Sequence, residues 1–180
     1  MSDEGTLQQV EKHLRFSIKH WVSSRNKLLK RPVVVLDWGC GRGDAITEIG
    51  STFGESVKAI GFGKDIYPEW NHNPNATFIA ATKEDLFRYL KNGSVDLIYS
   101  SIGLKHILFP PADAVQYIGR LCEKLAPGGA LVFDWTRKSH IEKDSKMIKV
   151  KNQRFLKAVL GPSFRVLTTE NGFIVKRKRA

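Results

Sequence analysis

Asp37, Gly39, Gly41 and Gly43 stand at alternate positions directly after the apolar run Val33-Val34-Val35-Leu36. An apolar strand that ends in an acid and breaks into glycines makes a loop suited to a nucleotide-like ligand. Glycine lets the chain turn sharply and brings backbone closer to a ligand than a Cβ allows. Asp65 lies 22 residues beyond Gly43, just past a second apolar run. An acid there is placed to accept hydrogen bonds from both hydroxyls of a ribose. Farther on, His106 follows a fourth apolar run, and imidazole titrates near neutrality, so it could take a proton. It fits a structural loop histidine as well. Asp134 and Trp135 close a fifth run, where an acid could accept a proton and an indole could stack on a planar substrate. Core packing accounts for Trp135 equally, and Lys105 is either a phosphate contact or a surface lysine.

These residues need a scaffold, and the chain supplies one. Leu7, Val10, Leu14, Ile18, Trp21 and Val22 recur at three- and four-residue steps, which predicts one amphipathic helix over about 6–30, closed by Pro32. Strands are expected at Val33–Asp37, Val57–Phe62, Ala76–Ala80, Val95–Ser100 and Ala130–Phe133. Helices are expected at 44–53, 83–90, 110–125 and 150–160, each between or after strands, an order that makes a parallel sheet. Pro127-Gly128-Gly129 reads as the turn into strand five. Phe164–Thr168 and Phe173–Lys176, joined around Asn171-Gly172, form a terminal hairpin.

At 180 residues, 42% hydrophobic and 26% charged, the chain is the length of one buried domain. Its parts are a basic amino-terminal helix (1–31), a ligand-binding core (32–135) and a basic tail segment with helix and hairpin (136–180). No run of ~18 apolar residues suggests a membrane span, and the polar start does not resemble a signal peptide, so the cytoplasm is expected, or the nucleus in a eukaryote. Cys40 and Cys122 form neither a metal-ligand spacing nor a disulfide framework, and no metal is expected. The net charge of +11 is uneven: Lys and Arg outnumber Asp and Glu by seven to three over 1–31 and by thirteen to three over 136–180. The core between them carries nine against twelve. Basic ends around an acidic core point to an anionic partner, with RNA the leading candidate through Arg137, Lys138, Lys143, Lys146, Lys149, Lys151 and Arg154. Lys176-Arg177-Lys178-Arg179 reads as a localisation patch or simply a charged end.

From Val33 onward the chain resembles the class I S-adenosylmethionine-dependent methyltransferases. Asp37-x-Gly39-x-Gly41-x-Gly43 matches that family's first motif, and Gly63-Lys64-Asp65-Ile66-Tyr67-Pro68-Glu69 its second. Ser94-Val95-Asp96-Leu97-Ile98 looks like its fourth strand, and Leu125-Ala126-Pro127-Gly128-Gly129 its turn into strand five. A dinucleotide fold wants Gly-x-Gly-x-x-Gly and a second nucleotide-binding half, and a phosphate loop wants Gly-Lys-Ser/Thr; neither is present. The resemblance implies an α/β Rossmann-like fold: a mostly parallel seven-stranded sheet, an antiparallel carboxyl-terminal hairpin strand, helices on both faces and an extra amino-terminal helix. It implies S-adenosylmethionine as cofactor. Asp37 and the Gly39-Cys40-Gly41 loop would hold its methionine end, Asp65 its ribose and Ile66 would flank its adenine. Ala81 and Thr82 occupy the place where the family often carries an acid facing the adenine amine, and Ser100 would contribute backbone near the methionine amine. The Asn-Pro-Pro-aromatic signature of exocyclic-amine methyltransferases is replaced by Ser100-Ser101-Ile102-Gly103. No cysteine follows strands four or five to act as a nucleophile. The expectation is methyl transfer to RNA or another polyanion, with His106 and Asp134 as candidate proton acceptors and Lys105, Trp135, Arg137 and Lys138 as candidate substrate contacts. The alternatives are a small-molecule or protein methyltransferase, or a non-catalytic binding module on the same fold.

Overall fold

A computed structural model of the chain describes residues 6–101, 104, 111–134 and 145–179, with side-chain surroundings for all of these except 111–115 and 145–152. Seven strands form one sheet: β1 (Val33–Trp38), β2 (Val57–Gly63), β3 (Thr77–Ala80), β4 (Val95–Ser100), β5 (Leu125–Asp134), β6 (Phe164–Thr168) and β7 (Gly172–Arg177). Their order across the sheet is β3-β2-β1-β4-β5-β7-β6. The first five run parallel, and β7 lies antiparallel between β5 and β6. This is the expected Rossmann-like methyltransferase architecture.

β1 sits centrally because its β-branched run can be buried on both faces, and Val33, Val35 and Leu36 have no exposure at all. The chain leaves β1 to one side for β2 and β3, then returns on the other side for β4. That reversal opens a crevice at the carboxyl ends of β1 and β4, the place where an open α/β sheet binds ligands. Helices α1 (Leu7–Leu14), α2 (Ile18–Asn26) and α3 (Asp44–Phe53) cover one face, around Val35, Ala59, Leu97 and Val132. Helices α4 (Leu86–Tyr89), α5 (Pro111–Lys124) and α6 (Ser145–Leu160) cover the other, around Leu36, Ile60, Ile98 and Leu131. Among the described residues no helix is long and apolar enough to cross a membrane.

Three elements differ from the sequence expectation. The single amino-terminal helix is two, broken where Arg15 turns left-handed at φ 52°. Ser17 then caps α2 by accepting from the His20 N–H at 3.3 Å, and Glu11 accepts from the Lys19 N–H at 2.7 Å. Glu48 of α3 holds the corner, accepting from the Leu7 N–H at 3.1 Å and from Lys19 Nζ at 2.7 Å. The Lys19 ammonium keeps the Glu48 carboxyl below its usual range. The helix expected over 83–90 shrinks to Leu86–Tyr89, because the Thr82 hydroxyl binds the Asp85 carboxylate and N–H and holds the preceding residues in a turn. β5 begins at Leu125, so Pro127-Gly128-Gly129 is an irregular stretch inside the strand, where the register to β4 shifts between Val95 and Leu97.

Beneath that irregularity lies a fully buried acid. Asp96 receives Arg25 at 3.2 Å, Arg31 at 2.6 Å and the Val34 N–H at 3.0 Å, and Arg25 also donates to the Pro127 carbonyl at 2.6 Å. The cluster anchors α2 and the start of β1 at the amino-terminal edge of the parallel strands, opposite the crevice.

Candidate active site

The glycine loop follows β1 and turns on positive φ at Gly39, Gly41 and Gly43 (82°, 49° and 85°). Its path is fixed from β2: the Gly39 and Cys40 N–H groups both donate to the Phe62 carbonyl, at 2.8 and 2.9 Å. Trp70, in the short turn after β2, supports it from below. Its indole N–H donates to the Gly41 carbonyl at 2.8 Å while the ring stacks on Phe78 with centroids 4.9 Å apart. Gly43 opens α3 tightly against that same Phe78, leaving no space for a Cβ.

Asp37 sits where β1 gives way to this loop, paired in register with Gly61 of β2 and Tyr99 of β4. Burial pushes its carboxyl up to about 7, and the Tyr99 hydroxyl, hydrogen-bonded to it, opposes the rise. A buried carboxylate with so little compensation is costly by itself and favours a cationic ligand group beside it.

A cavity of about 400 Å³ opens next to the loop, walled by Trp38 and Gly39 after β1, Phe62, Gly63 and Lys64 at the end of β2, and Ala81 to Glu84 after β3. Its wall is braced through Trp38, whose indole N–H donates to the Tyr117 hydroxyl at 2.9 Å; Tyr117 donates in turn to the Lys83 carbonyl at 3.0 Å. Burial drives the Tyr117 hydroxyl far above the ordinary range, so it stays a neutral donor. Asp65 is exposed and follows Lys64 at the cavity edge, and Ile66 beside it leaves 71% of its surface in solvent, an apolar side chain with room for a ring. Ala81 is held by its N–H to the Gly63 carbonyl at 3.1 Å. Of the predicted cofactor residues, Gly39, Ala81 and Thr82 line the cavity, Asp37, Cys40, Gly41 and Gly43 adjoin Gly39 along the chain, and Asp65 and Ile66 follow Lys64 of its wall. Ser100, fully buried at the end of β4, accepts the Leu104 N–H at 2.9 Å through its hydroxyl.

The carboxyl end of β5 carries a pair that sequence spacing does not show. Asp134, with no exposure, lies 3.2 Å from Nε2 of His13, whose side chain is 35% exposed on α1. Asn171 fixes that helix end by donating to the His13 carbonyl at 2.6 Å. Of the other predicted residues, Lys105, His106, Trp135, Arg137 and Lys138 lie outside the described residues. Among the described residues no group of three or more His, Cys, Asp or Glu could hold a metal ion. Sequence spacing alone does not single out Trp38, Trp70, Tyr117 or His13. The aromatic directly after Asp37 was the one available signal, whereas His13 and Tyr117 reach the site only through tertiary packing.

Residues 10–174 match the profile of a family described as a methyltransferase domain. The chain belongs to this family. It is accordingly a methyltransferase, with S-adenosylmethionine as the methyl donor. None of the curated proteins compared matches it in sequence. Solved structures share its fold at low identity. A Burkholderia thailandensis 1,6-didemethyltoxoflavin-N1-methyltransferase with bound 1,6-didemethyltoxoflavin and S-adenosylhomocysteine is 18% identical, with TM-score 0.58 over 94% of this chain and 80% of that one. A SAM-dependent methyltransferase from Aquifex aeolicus is 19% identical, with TM-score 0.56 over 97% and 98%. One from Archaeoglobus fulgidus is 16% identical, with TM-score 0.55 over 93% and 97%.

The crevice fits that donor. An apolar cavity suits a purine, the glycine loop gives backbone access, and the buried Asp37 carboxyl offers a counter-charge to a cationic ligand.

Proposed function

We propose that this methyltransferase modifies RNA or another polyanion, holding S-adenosylmethionine in the crevice between the glycine loop and the ends of β2 and β3. The observation that carries the cofactor assignment is the 400 Å³ cavity that opens at Trp38 and Gly39, directly after the strand end that carries the buried Asp37. In this reading Asp37 and the Gly41 backbone take the methionine end, Asp65 the ribose, and Ile66 with the Ala81-Thr82 backbone the adenine. Bound there, the cofactor supplies a methyl group on a positively charged sulfur, and the protein contributes position and orientation. His13 and Asp134 lie at the end of β5, two strands from Asp37 and on the same face of the sheet. Asp134 engages Nε2, which leaves Nδ1 of His13 to accept a proton from the acceptor. His13 thereby joins His106, which lies outside the described residues, as a candidate proton acceptor. The substrate class is supported by the charge distribution, thirteen basic against three acidic residues beyond 135.

Transfer of tritiated methyl from S-adenosylmethionine to separated RNA, protein and small-solute fractions tests the assignment. Label in RNA is expected, together with filter binding that weakens steeply with salt. Label confined to another fraction overturns the substrate class. A small heteroaromatic acceptor is the second reading, favoured by the fold shared over 94% of this chain with the 1,6-didemethyltoxoflavin-N1-methyltransferase.

A further inference from the structure

The described cations are not spread at random. β7 runs from Gly172, beside Asp134, to Arg177, so Lys176 and Lys178 lie toward the edge of the sheet opposite the crevice. Six residues at ~3.3 Å each put Lys178 about 20 Å from the crevice end of that strand. There a groove of about 680 Å³ opens between the last turn of α6 and the edge strand β6. Lys157, Arg165 and Lys178 line it, no acidic residue does, and none of the three has an ion-pair partner among the described residues. Phe164 and Pro162 contribute apolar surface, with Phe164 only partly buried against the core beneath. Gln153 donates to the Val166 carbonyl at 3.1 Å and pins α6 beside the strand.

Unpaired cations around an aromatic surface suit a single-stranded nucleic acid, with phosphates on the cations and a base on the ring. An acidic peptide would use the charges and leave Phe164 idle. We infer that the groove formed by Lys157, Arg165, Lys178 and Phe164 is a docking site for single-stranded RNA, separate from the methyl-transfer crevice. This rests on the RNA reading above and adds the place where the substrate is gripped. A strand held here must cover at least about 20 Å before a nucleotide enters the crevice, so the groove serves long acceptors and not isolated nucleotides.

The test uses the full chain and a fluorescein-labelled uridine 15-mer read by anisotropy. Lys157→Glu/Arg165→Glu/Lys178→Glu should weaken binding at least ten-fold and flatten the log–log salt slope by about two units, as three lost phosphate contacts require. Phe164→Leu, which keeps an apolar side chain on the core, should weaken it about five-fold with the slope unchanged. S-adenosylhomocysteine binding by calorimetry should stay at the unmodified level in both variants, showing that they fold. Equal binding by triple variant and unmodified chain overturns the groove and leaves the RNA reading standing. No binding of the 15-mer by the unmodified chain at low salt overturns both. Polyglutamate that competes with the 15-mer and binds Phe164→Leu undiminished makes the groove a protein-docking site and overturns the inference.

Discussion

Replacing Asp37 with asparagine should stabilise the ligand-free protein and cripple its grip on the cofactor, and pH should separate the two effects. Burial raises the carboxyl from 3.8 to about 7 in the folded chain. Between those values the folded state holds a proton that the unfolded state has lost, so stability from this group falls as pH rises and levels off above about 7. Three units at ~1.4 kcal/mol each amount to about 4 kcal/mol. Asparagine keeps the shape without the charge and escapes that cost, which for a chain of this length corresponds to a Tm roughly 8 to 16 °C higher. Thermal melts without ligand should show Asp37→Asn and the unmodified chain nearly equal at about pH 3, below the unfolded value, and far apart at pH 8. Calorimetry with S-adenosylhomocysteine should show the reverse order: affinity of the unmodified chain increases from pH 6 to 8, and the variant stays weak throughout. A variant no more stable at pH 8 than the unmodified chain, or a gap that ignores pH, would refute the argument that an under-compensated carboxylate is kept for a cationic ligand.

His13→Gln and Asp134→Asn should each slow methyl transfer by about 100-fold or more while S-adenosylhomocysteine binding stays constant; equal rates would remove the pair from the reaction. Trp70→Phe preserves the stack on Phe78 but deletes the hydrogen bond to Gly41, and calorimetry should find S-adenosylhomocysteine bound several-fold more weakly. Asp96→Ala strands the buried Arg25 without its acid, so urea unfolding should report a loss of about 3–5 kcal/mol.

Much of the framework is legible in sequence because the signals are local. The β-branched run before Asp37 can only be a buried strand, and glycines at 39, 41 and 43 do lie at positive φ. Helix α3 spans the expected Asp44–Phe53, and β4 the expected Val95–Ser100. Failures arise where distant groups decide. Apolar spacing runs unbroken through Arg15 and Ser17, but the chain bends there because Glu48, some thirty residues away, takes both the Leu7 N–H and Lys19. The Asn171-Gly172 hairpin is real, yet Gly172 matters as a strand residue that lies too close to Phe133 to carry a Cβ. The His13–Asp134 pair joins residues 121 positions apart, which no local pattern encodes.

The placement of β7 affects how the protein is made. Its last strand fills an interior slot of the sheet, between β5 and β6, and Asn171 just before it clasps the end of α1. A chain still on the ribosome with Gly172–Arg177 inside the exit tunnel has β5 with a naked apolar edge and His13 without its clasp. Such a nascent chain would offer its unpaired strand to any neighbour. Completing the sheet and clasping the end of α1 beside Asp134 are thus one event, and a product halted before β7 would be prone to aggregate.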